Sequence, residues 1–86
     1  MLNTVITGNY KNCVIVLKEQ ENKPVLTCKG FLSKKEIPMD KSMIRKMNHT
    51  LIEDQTHDVI IEWKDGTLSQ VIMDQNTYIA VQAEMS

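Results

Sequence analysis

Apolar and polar positions alternate most regularly between His57 and Met73, where two apolar-rich stretches flank Lys64-Asp65-Gly66-Thr67. Alternation with a period of two marks a strand with one face buried, and Asp-Gly is a favoured centre for a type I′ hairpin turn. A turn centred on Asp65 and Gly66 sets Trp63 against Leu68, Ile61 against Gln70 and Val59 against Ile72. That face is nearly all apolar, so the predicted core is Val59, Ile61, Trp63, Leu68 and Ile72. The other face mixes Ile60, Val71 and Met73 with charges and calls for cover by another element. Asp74 is a good N-cap, and from Gln75 to Met85 the residues Tyr78, Val81 and Met85 fall on one helical face. A C-terminal helix of about three turns supplies the cover.

Toward the N-terminus, Thr4–Thr7, Asn12–Glu19 and Val25–Cys28 are rich in β-branched residues and separated by Gly8-Asn9 and by a polar turn with Asn22 and Pro24. They read as three strands, the last two forming a hairpin closed around Glu21 and Asn22. From Asp40, the residues Met43, Ile44, Met47 and Leu51 recur at helical spacing behind a capping aspartate, so the spacing predicts a helix from Asp40 to about Glu53.

The 86 residues of the chain form a single domain, 1–86. A chain of this length buries only about 60 to 65% of the surface its unfolded form exposes, so its core is thin and a homodimer or larger homo-oligomer is one way to gain burial. Hydrophobic residues at 42% and charged residues at 24% are the proportions of a folded domain rather than a disordered tail. The formal net charge of −1 gives no global attraction to nucleic acid or to an anionic membrane. The longest apolar run, Cys13 to Leu17, is far too short to span a bilayer, and the first residues lack the pattern of a secretion signal. No membrane association is expected, and the expected location is cytoplasmic. The assumed hairpin leaves Cys13 beyond the reach of Cys28, so both are expected as free thiols.

Val59-Ile60-Ile61-Glu62-Trp63-Lys64-Asp65-Gly66, followed by Ser69, Asp74, Tyr78 and Ala80, resembles the closing segment of a group of short, largely uncharacterised proteins of low-GC Gram-positive bacteria and their phages or mobile elements. Asn9-Tyr10-Lys11-Asn12-Cys13 is similar to that group's opening, and Ile37-Pro38-Met39-Asp40-Lys41-Ser42 to the start of its middle strand. By similarity to bacterial pleckstrin-homology-like (PH-like) domains, the resemblance implies an α+β fold: a strongly bent antiparallel sheet or split barrel with a C-terminal helix. It also favours strand over helix after Asp40. Its motifs specify a turn, a strand and a cap, and carry no function with them. The long Gly-rich apolar stretch of many members is replaced here by Asp54–Asp58, so a membrane association tied to that stretch is not implied.

Candidate chemistry is sparse. His49 and His57 with Asp54 and Asp58 match no metal-ligand spacing and read as a solvated polar connection. Cys13 lacks an activating neighbour, Ser33, Ser42 and Ser69 lack a nucleophile elbow, and Gly8, Gly30 and Gly66 stand alone rather than in a phosphate loop. No catalytic residue, metal ligand or cofactor is assigned, and the chain is expected not to be an enzyme.

Charge is the uneven feature. Lys29, Lys34, Lys35, Lys41, Arg45 and Lys46 are six of the ten basic residues, whereas six acids lie between Glu53 and Asp74 against Lys64 alone. A basic edge and an acidic edge follow. The candidate binding residues are Phe31, Lys34, Lys35, Lys41, Met43, Arg45, Lys46 and Met47, where basic and apolar side chains mix. The expected function is a noncatalytic interaction module with a protein partner. The alternative is a small nucleic-acid-binding protein using the basic segment 29–46.

Overall fold

The computed structural model describes residues 1–86 as seven antiparallel strands and one helix. The strands are β1 (Val5–Gly8), β2 (Val14–Lys18), β3 (Lys23–Lys29), β4 (Lys34–Pro38), β5 (Ile44–Glu53), β6 (Thr56–Trp63) and β7 (Leu68–Asp74), and α1 spans Gln75–Met85. One sheet has the order β1-β7-β6-β5 and the other β2-β3-β4. The two meet where β1 passes β2: Thr4 bridges Val14, and the Val5 amide donates to the Cys13 carbonyl at 2.8 Å. The strands thus run β5-β6-β7-β1-β2-β3-β4, a split barrel whose only open seam lies between β4 and β5. Helix α1 packs against strands of both sheets. This is the α+β, PH-like arrangement that the resemblance implied. No helix is long and apolar enough to cross a membrane.

The core lies between the sheets and under α1. Ile15, Leu26 and Ile37 stand side by side across one sheet; Val59, Ile61, Trp63, Val71 and Met73 come from the other, and Val81 from the helix. The helix begins and ends where the periodicity places it. Asp74 caps it, its carboxylate accepting from the Thr77 amide at 2.8 Å, and Val81 is buried with Tyr78 and Met85 partly buried beside it.

The register of the β6–β7 hairpin differs from the expected one by a single residue. Val59 faces Val71, Ile61 faces Ser69 and His57 faces Met73, all buried. The reason is the turn. Its closing pair is Trp63 and Thr67, joined by a 2.9 Å bond from the Trp63 amide, and only Gly66, at φ +88°, is left-handed. That is the three-residue loop that ends in a glycine bulge, not the two-residue type I′ turn. Because side chains alternate, the slip moves Val71 and Met73 into the core and turns Leu68, 53% exposed, outward.

A similar displacement overturns the expectation of free thiols. β2 and β3 pair Val14 with Thr27 and Lys18 with Lys23, so the chain reverses over Glu19–Asn22 rather than around Glu21 and Asn22 alone. The same register, carried one residue further, sets Cys13 opposite Cys28. Their Cα atoms lie 4.6 Å apart and the two form a disulfide.

After Asp40 the chain forms a strand and not a helix. Asp40 caps a turn: its carboxylate accepts from the Ser42 amide at 2.9 Å, and its carbonyl accepts from the Ile44 amide at 2.8 Å. From Ile44 the chain pairs with β6 as far as Glu53, and that ladder outweighs the helical spacing of Met43, Ile44, Met47 and Leu51.

Both strands at the open seam are edges. Along β4 the Met39 amide donates to Pro24 and the Gly30 amide to Ser33, which fixes the alternation. Residues 33, 35, 37 and 39 point their backbone groups toward β3, and Lys34, Glu36 and Pro38 point theirs toward the seam. Pro38 sits where its missing N–H leaves no partner short, the place proline takes in a sheet.

Candidate interaction surface

The candidate residues divide into two groups. Phe31, Lys34 and Lys35 lie together at the tip where β3 turns into β4. Lys29 and Lys34 close this turn as facing residues, and the Gly30 amide bonds to the Ser33 carbonyl at 2.7 Å. The two residues left at its apex, Phe31 and Leu32, are 100% and 91% exposed. Single exposed apolar residues are ordinary, but two adjacent large ones with no cover and three lysines around them form a contiguous apolar point in a basic collar.

The second group is Lys41, Met43, Arg45, Lys46 and Met47, at the other end of β4 and the start of β5. Met43 and Met47 pack partly against the core, so they are less free than Phe31. Arg45 lies 3.5 Å from Glu62. The basic edge is therefore not one continuous patch: its apolar and basic elements converge only at the β3–β4 tip.

Behind that tip, the outer face of β2-β3-β4 carries Val14 and Val16, both exposed, beside Thr27. With Asn12 and Lys29 these line a shallow cleft of about 320 Å³. Lys18, 2.7 Å from Glu36, crosses the same face and holds the Glu36 carboxylate below its usual range, with desolvation opposing and Lys34 adding to the effect. This surface lies outside the candidate segment; the alternation of β2 and β3 is the signal that reveals it.

A second exposed tip, at the β5–β6 turn, is acidic. Glu53 and Asp54 occupy that turn, and Leu51 and Ile52 before them are 60% and 52% exposed. A polar cleft of about 280 Å³ lies alongside, between Asp54–Thr56 and Asp74–Asn76. The Asp74 carboxylate there is engaged by the Thr77 amide and by the Asn3 side chain at 3.1 Å.

His49 is exposed, but His57 is not part of a solvated connection. His57 is buried, stacked on Tyr78 with ring centroids 4.1 Å apart, and its Nε2 lies 2.6 Å from Gln75 Oε1. The Tyr78 hydroxyl lies 2.8 Å from His49 Nδ1. These three rings join β5, β6 and α1. No three His, Cys, Asp or Glu side chains converge in the chain. The parity that buries Val59, Ile61 and Trp63 also turns His57 inward, and so marks it in the sequence.

The residues that carried the resemblance have structural work. Trp63 donates from its indole to Ser69 Oγ at 2.7 Å, Ser69 in turn donates to the Asn9 carbonyl, and Tyr10 meets the indole edge-on at 5.0 Å. Gly8, at φ +90°, could not carry a side chain: a Cβ there would stand 2.1 Å from the Leu68 carbonyl oxygen. Compared with protein-family models, curated proteins and solved structures, the chain has no match among them.

Proposed function

We propose that this chain is a noncatalytic protein-interaction module that engages its partner through the β3–β4 tip. The observation that carries this reading is the pair Phe31 and Leu32, wholly exposed inside a collar formed by Lys29, Lys34 and Lys35. An apolar anchor within a charged rim is the usual form of an interaction hot spot: the anchor gives affinity, and the rim gives orientation and speed of encounter. On the resemblance, the setting is the cytoplasm of a low-GC Gram-positive bacterium or one of its mobile elements. In a reducing cytoplasm Cys13 and Cys28 would be held as adjacent thiols, and an oxidised pair would place the chain in a different compartment.

Affinity capture from a lysate of such a bacterium, comparing wild type with Phe31→Ala/Leu32→Ala, tests the reading. Both side chains are solvent-exposed, so the double variant keeps its fold, and the expected result is loss of the captured protein. Capture that survives the double substitution overturns the proposal. Capture that disappears with nuclease treatment, together with affinity that falls steeply with salt, overturns it in favour of nucleic acid.

A further inference from the structure

The open seam leaves two unpaired strand edges on one molecule, β4 and β5, and an exposed edge is a template for another strand. Their charges are opposite where it matters. β4 starts with Lys34 and Lys35, and β5 ends with Glu53, followed by Asp54. Each of these ends also carries an uncovered apolar pair, Phe31–Leu32 beside β4 and Leu51–Ile52 in β5.

We infer that the partner at the β3–β4 tip is a second copy of this chain, whose β5 edge pairs antiparallel with β4. This rests on the reading of the tip as a protein-binding site and names its occupant. Charge decides the direction of pairing. An antiparallel arrangement brings the start of β4 to the end of β5, so that Lys34 and Lys35 face Asp54 and Glu53 while the rest of β4 lies against β5. A parallel arrangement that kept all of β4 against β5 would leave Lys34 and Lys35 facing residues between Ile44 and Thr50, none of them acidic and two of them, Arg45 and Lys46, of like charge. The contact joins different surfaces of the two copies, so each molecule keeps one edge free and the association is head-to-tail.

Sedimentation velocity over a concentration series, at low salt, tests this with charge reversals at exposed positions. Wild type is expected to sediment faster as concentration rises. Lys34→Glu/Lys35→Glu gives a copy acidic at both edges, and Glu53→Lys/Asp54→Lys a copy basic at both; each alone is expected to associate at least roughly tenfold more weakly. An equimolar mixture restores opposite charges at every contact and is expected to recover association, which misfolded variants would not do. Wild type that stays monomeric to millimolar concentration overturns the inference, as does association that the reversals leave unchanged or the mixture fails to restore. The two readings fail separately: a monomer that still captures another protein through Phe31 and Leu32 removes the second copy and leaves the proposed function standing.

Discussion

Trp63 shows how one side chain can settle the position of three segments. Its ring fills the core while its N–H needs an acceptor, and Ser69 supplies one only because the hairpin register turns that serine inward. Ser69 then passes a hydrogen bond to the Asn9 carbonyl, so the β1–β2 connection is tied to the same point. Replacing Ser69 by Ala leaves a buried donor and a buried carbonyl without their partner. The expected cost is about 1–3 kcal/mol, read as a lower urea midpoint with unchanged slope. Asp65 is the contrasting case. The Thr67 hydroxyl and amide hold its carboxylate below the usual range, but the group is exposed and its bonds are local to the turn.

At the scale of elements, α1 depends on its N-cap, Asp74. Burial pushes the Asp74 carboxyl up, but the Thr77 amide, the Asn3 side chain and the Thr77 hydroxyl together hold it below the usual aspartate range. A carboxyl lowered by folding stabilises the folded state above its unfolded pKa, ~3.9, and that contribution is lost as pH falls through the lower folded value. Asp74→Asn still caps the helix but does not titrate. Wild type is therefore expected to lose more stability than Asp74→Asn between about pH 5 and pH 2, measured as urea midpoints at each pH. The helix was legible in the sequence because its cap and its apolar face agree. β5 was legible only through the resemblance, because on spacing alone Met43, Ile44, Met47 and Leu51 suit a helix until β6 is present to pair with. The β6 and β7 strands were legible, but their register turned on whether Asp65-Gly66 made a two-residue turn or a three-residue one. Of the proposed binding surface, the sequence showed the clustering of lysines around Phe31. It did not show that Arg45 and the methionines lie elsewhere, since that depends on where the chain leaves one sheet for the other.

In the whole molecule, the two sheets are joined along one seam and open along the other. The joined side is held by the Thr4–Val14 bridge, a few backbone bonds and the neighbouring Cys13–Cys28 disulfide. The bridge closes a loop with a sequence separation of 15, which removes enough freedom from the unfolded chain to contribute about 3 kcal/mol. Reduction, or Cys13→Ser/Cys28→Ser, is expected to lower stability by about that amount under otherwise identical conditions. Titration with a thiol reagent, before and after unfolding, checks that the pair was oxidised at the start. The two free edges end differently: lysines and an apolar point lie at the start of β4, acids and a second apolar pair at the end of β5.

Pro38 sets a limit on what can be added at that open side. Facing the gap, β4 offers the amides of Lys34 and Glu36 but the carbonyls of Lys34, Glu36 and Pro38: two hydrogens to give and three oxygens to receive them. A visiting strand can be zipped on for about five residues and no further, and the proline acts as a stop at the end nearest Asp40. On the proposed head-to-tail pairing, so short a ladder keeps the added strand from extending into the long, continuous edge on which fibres grow.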